Sequence, residues 1–155
     1  MLLYEELLDE AYTQHNIHTY EKPLSSRTKG LYSDKIIWIN KFIPTYTEKG
    51  CVMVEELGHH HTSVGNILDQ RHVVSRRQEL RARQWGHGRA IPLCRFIEAH
   101  KAKVSGRNDL AAYLGVTEEF LQETVDRYRD KYGLYKRFDD KFIVGFDPVE
   151  VLEIG

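Results

Sequence analysis

The sequence predicts an α+β fold, mostly helical, with a small antiparallel sheet. Three observations predict it. Apolar residues recur at helical spacing in several stretches bounded by capping residues. Short runs of β-branched and aromatic residues at 17–21, 30–32 and 35–40 read as strands. A last pair of such runs, 134–138 and 141–146, flanks the turn Asp139-Asp140 and reads as a terminal hairpin closed by Pro148.

The first helix is marked by Leu2, Leu3, Leu7, Leu8 and Ala11, with Glu5, Glu6, Asp9 and Glu10 between them, and should end near His15-Asn16. Pro23 and Ser25-Ser26 mark a loop, and Ser33-Asp34 a turn between two strands. After Pro44 a second helix is expected over 47–61. Ser75 and Gln78 form a capping-box signal for a third, ending at about Gly86. Pro92 suits the first turn of a fourth, running to Lys103. Asn108 is expected to cap a short helix that stops at Gly115. Thr117, followed by Glu118 and Glu119, should cap a longer one that stops at Gly133.

A chain of 155 residues is long enough to bury a core. Its 41% hydrophobic and 29% charged residues exclude a disordered chain. The net charge of −1 predicts no bulk attraction to nucleic acid or to an anionic membrane. The charge is unevenly spread, however. Between Arg71 and Arg107 ten Lys/Arg are opposed only by Glu79 and Glu98, a stretch that could draw an acidic partner. Cys51 and Cys94 stand in no metal or redox spacing and read as small buried thiols of a reducing compartment. Glu5 and Glu6 interrupt the apolar start, so neither a signal peptide nor a membrane span is expected, and the protein is placed in the cytoplasm.

Chemistry concentrates at Glu55-Glu56-Leu57-Gly58-His59-His60-His61. Positions four apart on a helix lie above one another, so Glu55 and His59 could grip one metal ion from one face. Glu56 lies about 100° round the helix, where a base acting on a metal-bound water would sit. The same residues also suit a plain amphipathic helix with solvated Glu and His. A metal held by one helix needs a ligand from elsewhere, and Glu79 is the best candidate. It opens a separate helix, whose Ala82, Trp85 and Gly86 would let the two helices lie close together.

The stretch resembles the H-E-x-x-H helix of zincin metallopeptidases, with Glu55 at the first His. Together with Glu79-Leu80-Arg81-Ala82-Arg83-Gln84-Trp85-Gly86 it resembles the ImmA/IrrE family, whose hallmark is H-E-L-G-H followed by E-x-x-A-x-x-F-A. The segments 30–32, 36–40, 62–69, 91–93 and 110–133 and the closing hairpin are similar to the branch found on prophages and integrative elements, where Glu also replaces the first His. The resemblance implies a zincin-like domain with His59 and Glu79 as metal ligands, Glu55 at the first ligand position and Glu56 as catalytic base. It implies one divalent metal, zinc first, and hydrolysis of a repressor that silences the mobile element. On this reading 1–105 is the metallopeptidase-like part. Residues 106–155 add a helix-turn-helix-like element and the hairpin within the same compact unit. An exposed sheet edge at 36–40 would hold the substrate as an added strand.

Glu in place of His changes the site. Glu55 and Glu79 together would neutralise a divalent ion, leaving its bound water less acidic and shifting preference toward Mn²⁺ or Fe²⁺. His60 and His61 are possible substitute ligands, although they point about 100° and 200° away from His59. His72 and His87 rank below them. A catalytically silent antirepressor that acts by binding alone is the first alternative. The second is a DNA-binding regulator, since Ala111, Gly115 and Leu121 have helix-turn-helix spacing. Its charges argue against it: 109–126 holds five acidic residues and no Lys or Arg. Direct nucleic-acid binding is therefore not expected, and protein docking is.

Overall fold

The computed structural model describes residues 2–62 and 76–155. The capping residue expected at Ser75, the loop histidine His72 and the 63–69 part of the family-like segment lie outside them. The chain divides into two compact units, Met1–Gly86 and His87–Gly155.

The first unit opens with α1 (Leu3–His15), which buries Tyr4, Leu7 and Ala11. Asn16 ends it in the left-handed conformation at φ 56°, so that the Asn16 and Ile17 amides reach back to the Tyr12 and Ala11 carbonyls. Three strands follow: β1 (His18–Lys22), β2 (Gly30–Ser33) and β3 (Ile36–Asn40). Their order is β1-β3-β2, with β1 parallel to β3 and β2 antiparallel to it. The sheet is therefore mixed, and the segment expected to be its exposed edge, 36–40, is instead the central strand, hydrogen-bonded on both sides. Asp34 and Lys35, with φ of 41° and 64°, make the tight β2–β3 turn, one residue later than the sequence suggested. Asn40 ties down the preceding loop, donating from Nδ2 to the carbonyls of Leu24, Ser25 and Thr28.

Alternation gives this sheet two unlike faces. Ile37 and Ile39 are fully buried on the inner face, which covers α2 (Tyr46–Thr62). Gly30, Tyr32, Thr19 and Glu21 share that face. The outer face carries His18, Tyr20, Lys22, Leu31, Ile36 and Trp38. α2 buries Cys51, Val52, Met53, Val54 and Leu57 along its core side. α3 (Arg76–Ala90) crosses it at two points without side-chain bulk. A Cβ on Gly58 would overlap the Ala82 carbonyl, and one on Gly86 would sit 3.3 Å from the Val54 carbonyl oxygen. α3 continues past Gly86, where the sequence placed its end, and stops only at the approach of Pro92.

The second unit contains α4 (Leu93–Lys101), α5 (Arg107–Leu114), α6 (Glu118–Tyr132) and an antiparallel sheet of β4 (Tyr135–Arg137), β5 (Phe142–Phe146) and β6 (Val149–Glu153). Its core includes Phe96, Ile97, Leu110, Leu114, Phe120, Leu121, Val144 and Phe146. α5 and α6 meet around Gly115, left-handed at φ 74°, as a helix-turn-helix requires. The Thr117 hydroxyl caps α6 by accepting from the Phe120 amide at 3.0 Å, as expected. Asn108 caps nothing: Gly106 holds the N-cap of α5, without a side-chain bond. Pro148 does not close the chain's last element either. It sits in a turn from which Val149–Glu153 adds a third strand to the expected hairpin. α4 packs on α5, β5 and β6, so the boundary lies after Gly86, earlier than the 105/106 division read from sequence. His87, buried here, lies 2.6 Å from the Thr124 hydroxyl, which itself donates to the Phe120 carbonyl.

Candidate active site

Three elements of the first unit build the site. α2 supplies two neighbouring ladders of side chains one turn apart, Glu55 with His59 and Glu56 with His60. α3 brings Glu79 in from its first turn. β2 passes over the Glu56 ladder, so close that a Cβ on Gly30 would stand 3.1 Å from the Glu56 carboxylate. Any other residue at position 30 would press on that carboxylate. An isolated Gly at a strand position signals such an approach, although the sequence alone does not say to what.

His59 Nε2 and Glu79 Oε1 are 3.2 Å apart, the His59 side chain 15% exposed and that of Glu79 42%. Two donor atoms each about 2.0–2.1 Å from a tetrahedral ion stand about 3.3 Å apart, so the pair has the bite of two ligands as well as of a hydrogen bond. The absence of a side chain at Gly58 makes this approach possible, because it lets the α3 backbone come down onto α2 one residue before His59. Glu55 lies one turn before His59. Among the described residues no group of three His, Cys, Asp or Glu side chains is gathered closely enough to hold an ion. The chemistry of the donors suits a divalent metal, and the structure brings two of them together.

The carboxyl of Glu56 is pushed up to about 8, first by burial and then by the negative charges of Glu55 and Glu79. It is thus a carboxyl that holds a proton near neutral pH unless a cation offsets its neighbours. His60 and His61 face other partners. His60 Nδ1 is 2.7 Å from the Tyr32 hydroxyl of β2. His61 stacks on Trp85 with ring centres 4.2 Å apart, and the His15 ring lies 4.6 Å from it edge-on. Burial and the neighbouring His15 lower the proton affinity of both imidazoles. His15 and Tyr32 thus join the surroundings of the site, and nothing in their local sequence announces them.

The model of the peptidase M78 family, described as IrrE N-terminal-like domain, matches residues 12–126. The chain belongs to this family. No curated protein and no solved structure matches it. The family match begins inside α1 and ends inside α6, so it takes in the three-stranded sheet, both site helices and the helix-turn-helix pair. The terminal sheet lies beyond it. Membership in the peptidase M78 family gives the chain a metallopeptidase-type domain with an α+β architecture. Among the described residues no helix is long and apolar enough to cross a membrane.

Proposed function

We propose that this protein is a metal-dependent endopeptidase of the cytoplasm that cleaves a repressor of a phage or mobile element and so relieves repression. The observation that carries the reading is the 3.2 Å approach of His59 and Glu79 from two separate helices, beside the half-buried carboxyl of Glu56. His59 and Glu79 would hold the ion, zinc in the first place and Mn²⁺ or Fe²⁺ otherwise, with Glu55, one turn before His59 on α2, as a further donor. When bound, a divalent ion polarises the scissile carbonyl and acidifies the attacking water. Glu56 takes up a proton at its carboxylate and returns it to the leaving amine, work suited to a carboxyl tuned toward neutrality. The outer edge of β2, whose Gly30 lies on Glu56, would hold an extended peptide by main-chain hydrogen bonds, in place of the edge expected at 36–40. The choice of a repressor rests on the likeness of the sequence to the mobile-element branch of ImmA/IrrE proteins. Cys51 is buried, as expected, whereas Cys94 is half-buried because it stands in the first turn of α4, and two cysteines in no redox spacing are in keeping with a reducing compartment.

A second reading, an antirepressor that binds without cutting, is favoured by one observation. Glu55 supplies a carboxylate where the family hallmark has an imidazole, and it adds to the charge crowding around Glu56. Metal analysis of protein purified without a histidine tag, combined with co-expression of the element's repressor, separates the two. For the endopeptidase, about one equivalent of metal is found and Glu56→Gln abolishes repressor cleavage while binding persists. Derepression that survives Glu56→Gln, with the repressor intact, establishes the antirepressor instead.

A further inference from the structure

The outer face of the first sheet carries an aromatic and apolar row beside lysines, and at one end Asn40 is buried against the 24–28 loop. Register places Tyr20 of β1 and Leu31 of β2 on either side of Trp38 in β3, giving an apolar row across all three strands. Tyr20 is 48% exposed, Leu31 47%, and Phe42, just beyond β3, 66%. Lysines stand beside these rings: Lys22 Nζ lies 5.9 Å from the centre of Tyr20, and Lys41 Nζ 5.5 Å from the centre of Phe42. Lys35, in the β2–β3 turn, is exposed but lies toward the inner side, where its charge acts on His60. The opposing charge is small. Between 17 and 45 the carboxylates are Glu21 and Asp34. Glu21 belongs to the inner face, where it accepts from Lys49 at 2.7 Å and from Tyr4 at 3.0 Å. Asp34 sits in the turn.

We propose that this sheet face, with the turn that follows β3, binds single-stranded nucleic acid, unpaired bases stacking on Tyr20, Trp38 and Phe42 while Lys22 and Lys41 meet the phosphates. A flat sheet face cannot enter a duplex groove, whereas splayed bases lie on such a face with little regard to sequence. An acidic protein would satisfy the lysines but gives no reason for exposed rings beside them. The net charge of the chain hides this face, because the acidic residues stand elsewhere, on α1, on α2 and between 109 and 126 among other places. The helix-turn-helix pair plays no part in it.

The test uses the full chain without a histidine tag and fluorescein-labelled oligothymidylate of about 15 nucleotides, followed by anisotropy. Binding should weaken as salt rises, with a log–log slope of about −1.4 for two lysine–phosphate contacts. Tyr20→Ala and Phe42→Ala should each weaken binding about five-fold or more, since each removes one stacking ring. Lys22→Glu with Lys41→Glu should abolish it. All four positions are exposed, so melting temperatures should stay unchanged and are measured alongside. An oligouridylate arm shows whether RNA and DNA are both accepted, and either one supports the proposal. It is overturned by no binding, by a duplex of equal length binding as tightly, or by rings that can be removed without effect. It also fails if polyglutamate competes as well as the oligonucleotide, which would make the face a dock for acidic proteins.

Discussion

Gly58 lies so close beneath the Ala82 carbonyl that a single methyl group at position 58 would occupy the same space as the α3 backbone. Ala82 is fully buried there. The contact lets Glu79, one turn earlier on α3, come within 3.2 Å of His59, the residue after Gly58.

Gly58→Ala is therefore expected to separate the two helices. Alanine favours an isolated helix over glycine by about 1 kcal/mol, but overpacking against backbone costs about 1–3 kcal/mol or more, so the net effect is destabilising. Chemical denaturation should show a lowered midpoint, and titration with Zn²⁺ should show metal binding lost even where the protein remains folded. Unchanged metal binding in this variant would break the link between helix packing and the site.

Glu55→His should restore the H-E-L-G-H pattern one turn before His59. An imidazole in place of the carboxylate leaves the site net positive with a divalent ion and supplies the borderline-soft donor that zinc prefers. Zinc affinity measured by competition with a chromophoric chelator should rise by about tenfold or more, and the preference for zinc over manganese should widen. Equal or weaker zinc binding would show that position 55 does not face the ion.

Glu56 makes stability depend on pH in a definite direction. With chelator present, the folded protein keeps a proton on Glu56 up to about 8, while the unfolded chain releases it near the ordinary carboxylate value. The contribution to stability is complete below the unfolded value and is lost as pH rises through the folded one. Denaturation midpoints should thus fall between about pH 5 and pH 8 and then level off, a loss of roughly a few kcal/mol as an order of magnitude. Glu56→Gln should flatten this slope. A wild-type profile that stays level in chelator would contradict the crowding of Glu56 by Glu55 and Glu79.

Thr124→Val tests the second unit separately. The Thr124 hydroxyl is fully buried, 2.6 Å from His87 Nδ1, and valine keeps its shape without the oxygen. Removing one partner from a buried polar contact costs about 1–3 kcal/mol. Differential scanning calorimetry should show a lowered transition, while metal titration at His59 and Glu79 should be unaffected.

How much of this was legible in the sequence depends on the range of the interactions involved. Helix positions followed from local signals: apolar spacing in α1 and α2, the Thr117 cap of α6, and Gly115 and Gly133 as stops. Pairing between distant strands carries no comparable signal, so the parallel β1–β3 contact and the central place of β3 went unread. Val149 to Glu153 alternates well enough for a strand, but Pro148 looked like an end when it was a turn. At the site, the helical spacing of Glu55, Glu56 and His59 and the separate helix of Glu79 suggested candidate residues, and the structure brings His59 and Glu79 within 3.2 Å of each other. The contacts of His60 with Tyr32 and of His61 with Trp85 and His15 arise where separate elements pack, and no spacing within one element encodes them.

The stacking of His61 on Trp85 gives the molecule an optical gauge of its own. Indole emission is dimmed by an imidazole pressed against the ring, the more so when that imidazole is protonated. With Trp38 on the far side of the sheet as the other emitter, any displacement of α3 from α2 should brighten Trp85. The state of the helix pair can thus be followed by light, without a label and before a substrate is in hand.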